Sequence, residues 1–175
     1  MTPPTTRTWS RRGHTPIVRV RGRSRSRLSV GAPACYKPGQ SSQLIYRPRA
    51  DPRFDGRKSF AWTDYRDLIR AAHQELGGPV VLGWDNLNTR LTAGMRQFIA
   101  ERGRLTVYQL PPCSPDLNPV EGIWSVVRRT TLANRAFADP EDLITAVRQG
   151  SRRLQYRSDV LDGCLAGTWL VRARP

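Results

Sequence analysis

Two carboxylates lie at positions where elementary chemistry would place metal ligands. Asp85 follows the apolar run 79–84, and Glu121 follows a proline-rich segment that ends with Asn118 and Pro119. Neighbouring strands lie about 4.8 Å apart, so a carboxylate after one strand and another on the helix after the next strand could meet in one cleft. Oxygen-only ligation of this kind suits Mg²⁺ or Mn²⁺, which keep several waters and bind substrate phosphates.

Each carboxylate also has a purely structural explanation. Asn118 and Glu121 have the spacing of a capping box, with Pro119 at the first helical position. Asp85 could simply close a strand and begin a turn. The positions of the two carboxylates are not independent of each other, because a rigid proline-rich turn would direct Glu121 back towards the strand end that carries Asp85. The residues alone leave both interpretations open.

The charge distribution points to a polyanionic partner. The chain has 29 Lys and Arg residues against 14 Asp and Glu, a net charge of +15, and residues 1–50 hold 11 of the basic residues but no acid. Nucleic acid is the usual partner of such a chain. Four arginines recur at every second position, so they would share one face of a strand as a DNA contact or as a solvated surface: Arg21, Arg23, Arg25 and Arg27.

Other classes of protein are disfavoured by composition. The three cysteines are widely spaced and form no CxxC pair, so neither a zinc site nor a disulfide framework is predicted, as expected for a reducing cytoplasm. No apolar run approaches the roughly 20 residues of a membrane helix. The N-terminal residues lack the apolar core of a signal peptide. We therefore expect a cytoplasmic protein without a membrane partner.

The elements that must position the carboxylates follow from hydrophobic periodicity. A strand at 28–32 should pair with 43–47 through a turn at 36–40. Strands are also predicted at 79–84 and 105–110, and helices at 62–76, around Leu91–Ile99, after Pro119, at 140–154 and at 158–169. The pattern predicts one α/β domain with a mixed sheet flanked by helices, in which residues 1–50 form a basic, strand-rich part and 51–175 the remainder. In such sheets the site lies beyond the carboxyl ends of the parallel strands.

The segment PVVLGWDN…VYQLPPCSPDLNPVEGIWSVVRR closely resembles the core of bacterial insertion-sequence DDE transposases of the mariner superfamily. The resemblance implies an RNase H-like fold and makes Asp85 and Glu121 the second and third catalytic acids, separated by 35 residues. The reaction it implies is metal-dependent phosphodiester hydrolysis at transposon ends, followed by transfer of the freed 3′-OH to target DNA. Two Mg²⁺ or Mn²⁺ ions would stabilise the attacking and leaving oxygens.

The same resemblance suggests roles for further residues. Asn86 and Asn118 would orient the two carboxylates, although turn and cap chemistry explains both equally simply. Arg128 and Arg129 would contact phosphate or lie on a solvated helix end. Trp124 is expected in the core rather than against a base. The implied partners are transposon-end and target DNA, a homo-oligomer in the intact enzyme, and a bacterial, nucleoid-associated setting.

The chain departs from the family pattern at its first catalytic acid. That Asp lies upstream of the segment matching Arg7, whereas the first acid here is Asp51. The first catalytic strand of the sheet is therefore predicted to be missing, and weak metal affinity and little cleavage by this polypeptide alone are expected. An upstream reading frame could supply the missing part. The alternative is a non-catalytic DNA-binding protein or decayed remnant that keeps the fold.

Overall fold

A computed structural model describes residues 7–17, 28–50, 60–85, 92–137 and 139–170. Its strands are short and its helices account for most of the regular structure. The strands are β1 (Leu28–Gly31), β2 (Ala34–Cys35), β3 (Gln43–Leu44), β4 (Arg47–Ala50), β5 (Val80–Trp84) and β6 (Leu105–Gln109). The helices are α1 (Trp62–Leu76), α2 (Ala93–Ala100), α3 (Pro119–Val127), α4 (Pro140–Gln155) and α5 (Ser158–Ala166), with a 3-10 helix (Pro115–Leu117) before α3 and a π-helical turn (Arg128–Leu132) after it.

The basic N-terminal part (residues 1–50) contains the predicted hairpin, but the strands pair differently from the prediction. β2 pairs antiparallel with β3, and β1 pairs antiparallel with β4. The prediction that 43–47 is the partner of 28–32 is therefore wrong by several residues. Pro48 caused the error, because a proline normally ends a strand prediction. In the structure Pro48 lies opposite Val30 in the β1–β4 ladder.

A β–α–β unit carries the first candidate ligand. β5 and β6 pair in parallel from Val80 opposite Leu105 to Trp84 opposite Gln109, with α2 in the connection between them. α1 precedes this unit and ends, as predicted, at Gly77, whose φ of 63° is the left-handed conformation that glycine adopts readily. A small core joins α1, β5 and α2; its buried members are Ile69, Trp84, Met95 and Phe98.

A second core holds the three C-terminal helices together. Its buried side chains come mainly from α3, α4 and α5, and include Ile123, Val127, Leu143, Ala146, Val147 and Leu161. The hairpin covers this core through Leu44, whose carbonyl accepts a hydrogen bond of 2.8 Å from Gln155 Nε2. Tyr36 also donates its hydroxyl to the Leu161 carbonyl at 3.1 Å. These contacts fix the helices that carry the second candidate ligand.

The hairpin also contacts α1, so it lies between the two cores. Gly31 packs so closely on Leu68 and Phe60 that a Cβ there would lie 2.8 Å from Leu68 Cδ1. Arg49 of β4 forms an ion pair with Asp64 of α1, and Asp64 also accepts the Ala61 amide at 2.8 Å. Helix and hairpin are thus joined by both packing and charge.

The predicted mixed α/β class is confirmed by the flanking helices and by the described strands. These strands pair as three separate two-stranded ladders, two antiparallel and one parallel. Each ladder is completed locally, by a hairpin turn or by a helical crossover, because short connections favour neighbouring partners. No helix within the described ranges is long and apolar enough to cross a membrane.

Candidate active site

The first candidate ligand is positioned by the end of a buried strand. Trp84 is 7% exposed and anchors β5 in the core, and its carbonyl accepts the Leu110 amide at 2.8 Å. This bond continues the parallel register one residue beyond β6. Asp85 follows directly and is half-buried at the carboxyl end of the strand. The location matches the prediction for Asp85, because it is the end at which α/β sheets place their sites.

The chain between β6 and α3 is a tight, hydrogen-bonded connection. After Pro111 and Pro112, Cys113 adopts a φ of 60°, a left-handed conformation that costs a non-glycine residue about 1–2 kcal/mol. The Ser114 hydroxyl donates to the Pro112 carbonyl at 3.4 Å. The Leu117 amide then donates to the Ser114 carbonyl at 3.2 Å. Two consecutive prolines before the turn are the sequence signal for this constrained backbone at Cys113.

Asn118 begins α3 and acts as its N-cap. Its side chain accepts a hydrogen bond of 3.1 Å from the Val120 amide, and Pro119 occupies the first helical position. The cap interpretation of Asn118 is therefore observed. The reciprocal half of the predicted capping box is not observed. Among the described residues, the Glu121 side chain has no hydrogen bond to Asn118. The structural explanation thus accounts for Asn118 but not for Glu121.

Glu121 is an exposed carboxylate in the first turn of α3. Within the described part of the chain it has no hydrogen-bond or ion-pair partner through its side chain. Its helix is held against α5, since a Cβ on Gly122 would lie 3.2 Å from Cys164 Sγ. Glu121 is thus a free oxygen donor on a firmly packed helix.

The structure places the two carboxylates at the predicted elements, while their convergence on one ion stays a prediction. Asp85 follows β5, whose Trp84 is buried in the core of the β–α–β unit, and Glu121 lies on α3, whose Ile123 is buried in the helical core. Across the ranges that the structure describes, no group of three His, Cys, Asp or Glu residues could hold a metal ion. Asn86 lies outside the described residues, so its predicted orienting role is untested.

The predicted DNA-contacting arginines divide into two groups. Arg128 and Arg129 lie in the π-helical turn after α3, where both are exposed and neither has a carboxylate partner among the residues described. Their exposure fits a phosphate contact and a solvated surface equally. Four arginines lie outside the described residues: Arg21, Arg23, Arg25 and Arg27. Trp124 is half-buried against the helical core, as predicted.

Comparison with known proteins gives one extensive match and several distant ones. The model of a family described as DDE superfamily endonuclease matches residues 2–144. A protein of Sinorhizobium fredii (strain NBRC 101917 / NGR234), described as uncharacterized protein y4pE/y4sA, is 49% identical over 41 residues, which are 23% of this chain and 30% of that protein.

The solved structures that resemble this chain are distant in sequence. A chain in the Mos1 strand transfer complex is 12% identical with a TM-score of 0.48; the match covers 98% of this chain and 52% of that one. The Mos1 transposase catalytic domain with Raltegravir and Mn is 13% identical with a TM-score of 0.49, over 83% of this chain and 84% of that one. This chain thus spans about half the length of the chain in the strand transfer complex.

Proposed function

The chain belongs to the DDE superfamily endonuclease family, and we propose that it forms part of the catalytic core of a mariner-like DNA transposase. In this proposal Asp85 and Glu121 are metal ligands that act on DNA phosphodiesters. Family membership supports the class of reaction. The local structure of the two carboxylates supports the assignment of residues.

The residue assignment rests on one observation: the Glu121 side chain has no hydrogen-bond or ion-pair partner among the described residues. A carboxylate with a structural task normally accepts hydrogen bonds or pairs with a cation, as Asp64 does with Arg49. Glu121 does neither among the described residues, although the cap beside it is formed by Asn118. An unpartnered carboxylate on a rigid helix keeps both oxygens available for an external cation.

The donor set fits Mg²⁺ or Mn²⁺ rather than a softer metal. Carboxylate oxygens suit hard divalent cations, and no thiolate or imidazole is part of the proposed site. When bound, such cations supply charge stabilisation for in-line displacement at phosphorus. Asp85 and Glu121 would hold them, while Asn118 fixes the start of the helix that presents Glu121. Asn86 would orient Asp85.

This chain would provide two of the three acids of the proposed site. Residues 1–50 contain no Asp or Glu, so the family's first acid has no counterpart there. DNA contacts would come from Arg128, Arg129 and the alternating arginines of residues 21–27.

A manganese titration followed by electron paramagnetic resonance tests the assignment. Asp85→Asn and Glu121→Gln should each weaken Mn²⁺ binding by about tenfold or more, equivalent to about 1.4 kcal/mol. Asp116→Asn is the matched control, because Asp116 is an exposed carboxylate in the same connection before α3. Equal Mn²⁺ binding by all four proteins would refute the site.

The alternative, a DNA-binding protein without catalysis, makes a different prediction. It requires salt-sensitive DNA binding that is indifferent to Mg²⁺ and to Asp85→Asn, with log K falling by about 0.9 per neutralised phosphate for each tenfold rise in salt. The transposase proposal predicts instead that Mg²⁺ changes the DNA affinity of the wild type and not that of Asp85→Asn.

A further inference from the structure

A cavity of about 400 Å³ opens at the end of the parallel strands opposite to Asp85. Val80 and Leu105, the first residues of β5 and β6, form part of its floor together with Ile69 and Phe98. Asp85 lies five positions after Val80, so the cavity lies roughly 16 Å from the candidate active site at the usual strand rise. It is a separate feature of the fold.

Three arginines and no carboxylate are among the residues that line the cavity. Its walls include Arg70 of α1 and both Arg102 and Arg104 from the connection between α2 and β6, together with His73. None of the three guanidinium groups has a carboxylate partner within the described residues. Three unneutralised guanidinium groups around one concave surface favour an anion as the occupant.

Two acids that neighbour the cavity arginines in sequence, Glu75 and Glu101, do not line the cavity. Glu75 of α1 is exposed. Glu101 accepts a hydrogen bond of 2.9 Å from Gln97 Nε2. Neither carboxylate contributes to the walls of the cavity.

One of the three arginines is fixed in place before any ligand binds. The Arg102 guanidinium lies 3.8 Å from the centre of the Phe98 ring and donates a hydrogen bond of 3.1 Å to the Phe98 carbonyl. The Arg104 carbonyl accepts the Val80 amide at 2.8 Å, which holds the backbone at the mouth. A cation that is already ordered loses little conformational entropy on binding.

We propose that this cavity binds a backbone phosphate of DNA, contacted by Arg70 and Arg104 at its rim together with Arg102, which is also exposed. The planar guanidinium fork matches two phosphate oxygens at once. Exposure of Arg70 and Arg104 allows contact with a polymer that extends beyond the cavity. The choice of DNA as partner rests on the proposed function, but the residues involved are different from the proposed metal ligands.

The test compares two double variants that remove the same charge. Arg70→Ala/Arg104→Ala empties the rim, whereas Arg152→Ala/Arg153→Ala removes two exposed arginines from the end of α4. Arg102 is left intact because it packs on Phe98. Binding of a 20-base-pair duplex is measured by fluorescence anisotropy between about 50 and 200 mM salt, after circular dichroism has verified that both variants are folded.

The cavity variant should bind the duplex more weakly than the wild type, and its plot of log K against log salt should be shallower by about 0.9 for the one phosphate lost. The α4 variant should keep the wild-type slope. A wild-type slope in the cavity variant would overturn the proposal, as would an equal loss in both variants.

A second readout locates the contact. The chain has only two histidines, so the ring resonances of His73 are easily assigned. Duplex DNA should shift them in the wild type and in the α4 variant but not in the cavity variant. A response to inorganic phosphate with none to DNA would reject a DNA contact in favour of a small anion. The cavity variant should bind Mn²⁺ as tightly as the wild type, because the cavity arginines are not metal ligands. The cavity proposal and the metal-site proposal can therefore be refuted separately.

Discussion

Gly150 and Gly163 are both helical glycines, and the structure predicts opposite effects when each is replaced by alanine. Gly150 is buried on α4, where an added Cβ would lie 2.7 Å from Thr131 Oγ1 and 3.1 Å from Thr131 Cβ. Gly163 is exposed on α5, and nothing lies within 4 Å of its added Cβ. Backbone preference alone favours alanine at both positions by roughly 0.5–1 kcal/mol.

The magnitude at Gly150 follows from setting this gain against the close contact. Overpacking a well-packed site costs typically about 1–3 kcal/mol, because side chains and backbone must shift. Gly150→Ala should therefore lower the free energy of unfolding by about 1 kcal/mol, within a range of about 0–2.5 kcal/mol, whereas Gly163→Ala should raise it by about 0.5–1 kcal/mol. For a chain of this size, each kcal/mol corresponds to about 2–4 °C in the melting temperature.

Urea unfolding followed by circular dichroism measures both changes on the same footing. Thr131→Ala should relieve part of the contact, so the double variant Thr131→Ala/Gly150→Ala should show a favourable coupling of about 1 kcal/mol. If Gly150→Ala is as stable as Gly163→Ala, the result would contradict the close packing of α4 against the π-helical turn at Thr131. That turn also carries Arg128 and Arg129, so the result bears on the proposed DNA contact.

Two further predictions concern pH and helix capping. Burial, with a contribution from Glu75, raises the pKa of the Cys35 thiol from 9.0 to about 11. The folded state keeps this proton to higher pH than the unfolded state, so the free energy of unfolding should be constant below pH 9 and fall by about 3 kcal/mol between pH 9 and 11. Urea unfolding of Cys35→Ala at each pH should lack that part of the loss. An alkaline profile identical to that of the wild type would contradict the burial of the thiol. Asp139 caps α4 by accepting the Asp142 amide at 2.7 Å, so Asp139→Ala should cost about 1 kcal/mol in the same assay, and an unchanged unfolding midpoint would count against the cap.

The elements with strong periodicity could be predicted from the sequence. Helix α1 was expected at 62–76 and is found at Trp62–Leu76, because an amphipathic period is followed directly by Gly77. The partner of β1 could not be predicted so well. Pro48 interrupts the pattern of β4, and only the three-dimensional pairing shows that the ladder tolerates it.

The candidate site was predictable in its local parts and not in its assembly. The strand end at Asp85 and the helix start at Glu121 follow from apolar runs, proline and asparagine over short distances. Whether the two carboxylates meet depends on how the helical core that carries α3 packs against the β–α–β unit, which no local pattern encodes. The cationic cavity is a similar case, because Arg70 and Arg104 are brought together only by the packing of α1 beside β6.

Iron-directed cleavage of the polypeptide tests most directly whether Asp85 and Glu121 bind one metal ion. Fe²⁺ replaces Mg²⁺ in the full chain, and ascorbate with peroxide then generates hydroxyl radicals that cut the backbone beside the bound ion. We predict two groups of cuts, around residues 85 and 121, which disappear together in Asp85→Asn and in Glu121→Gln but persist in Asp116→Asn. Loss of only the group nearest to each substitution, or cuts that persist in both variants, would contradict a shared site.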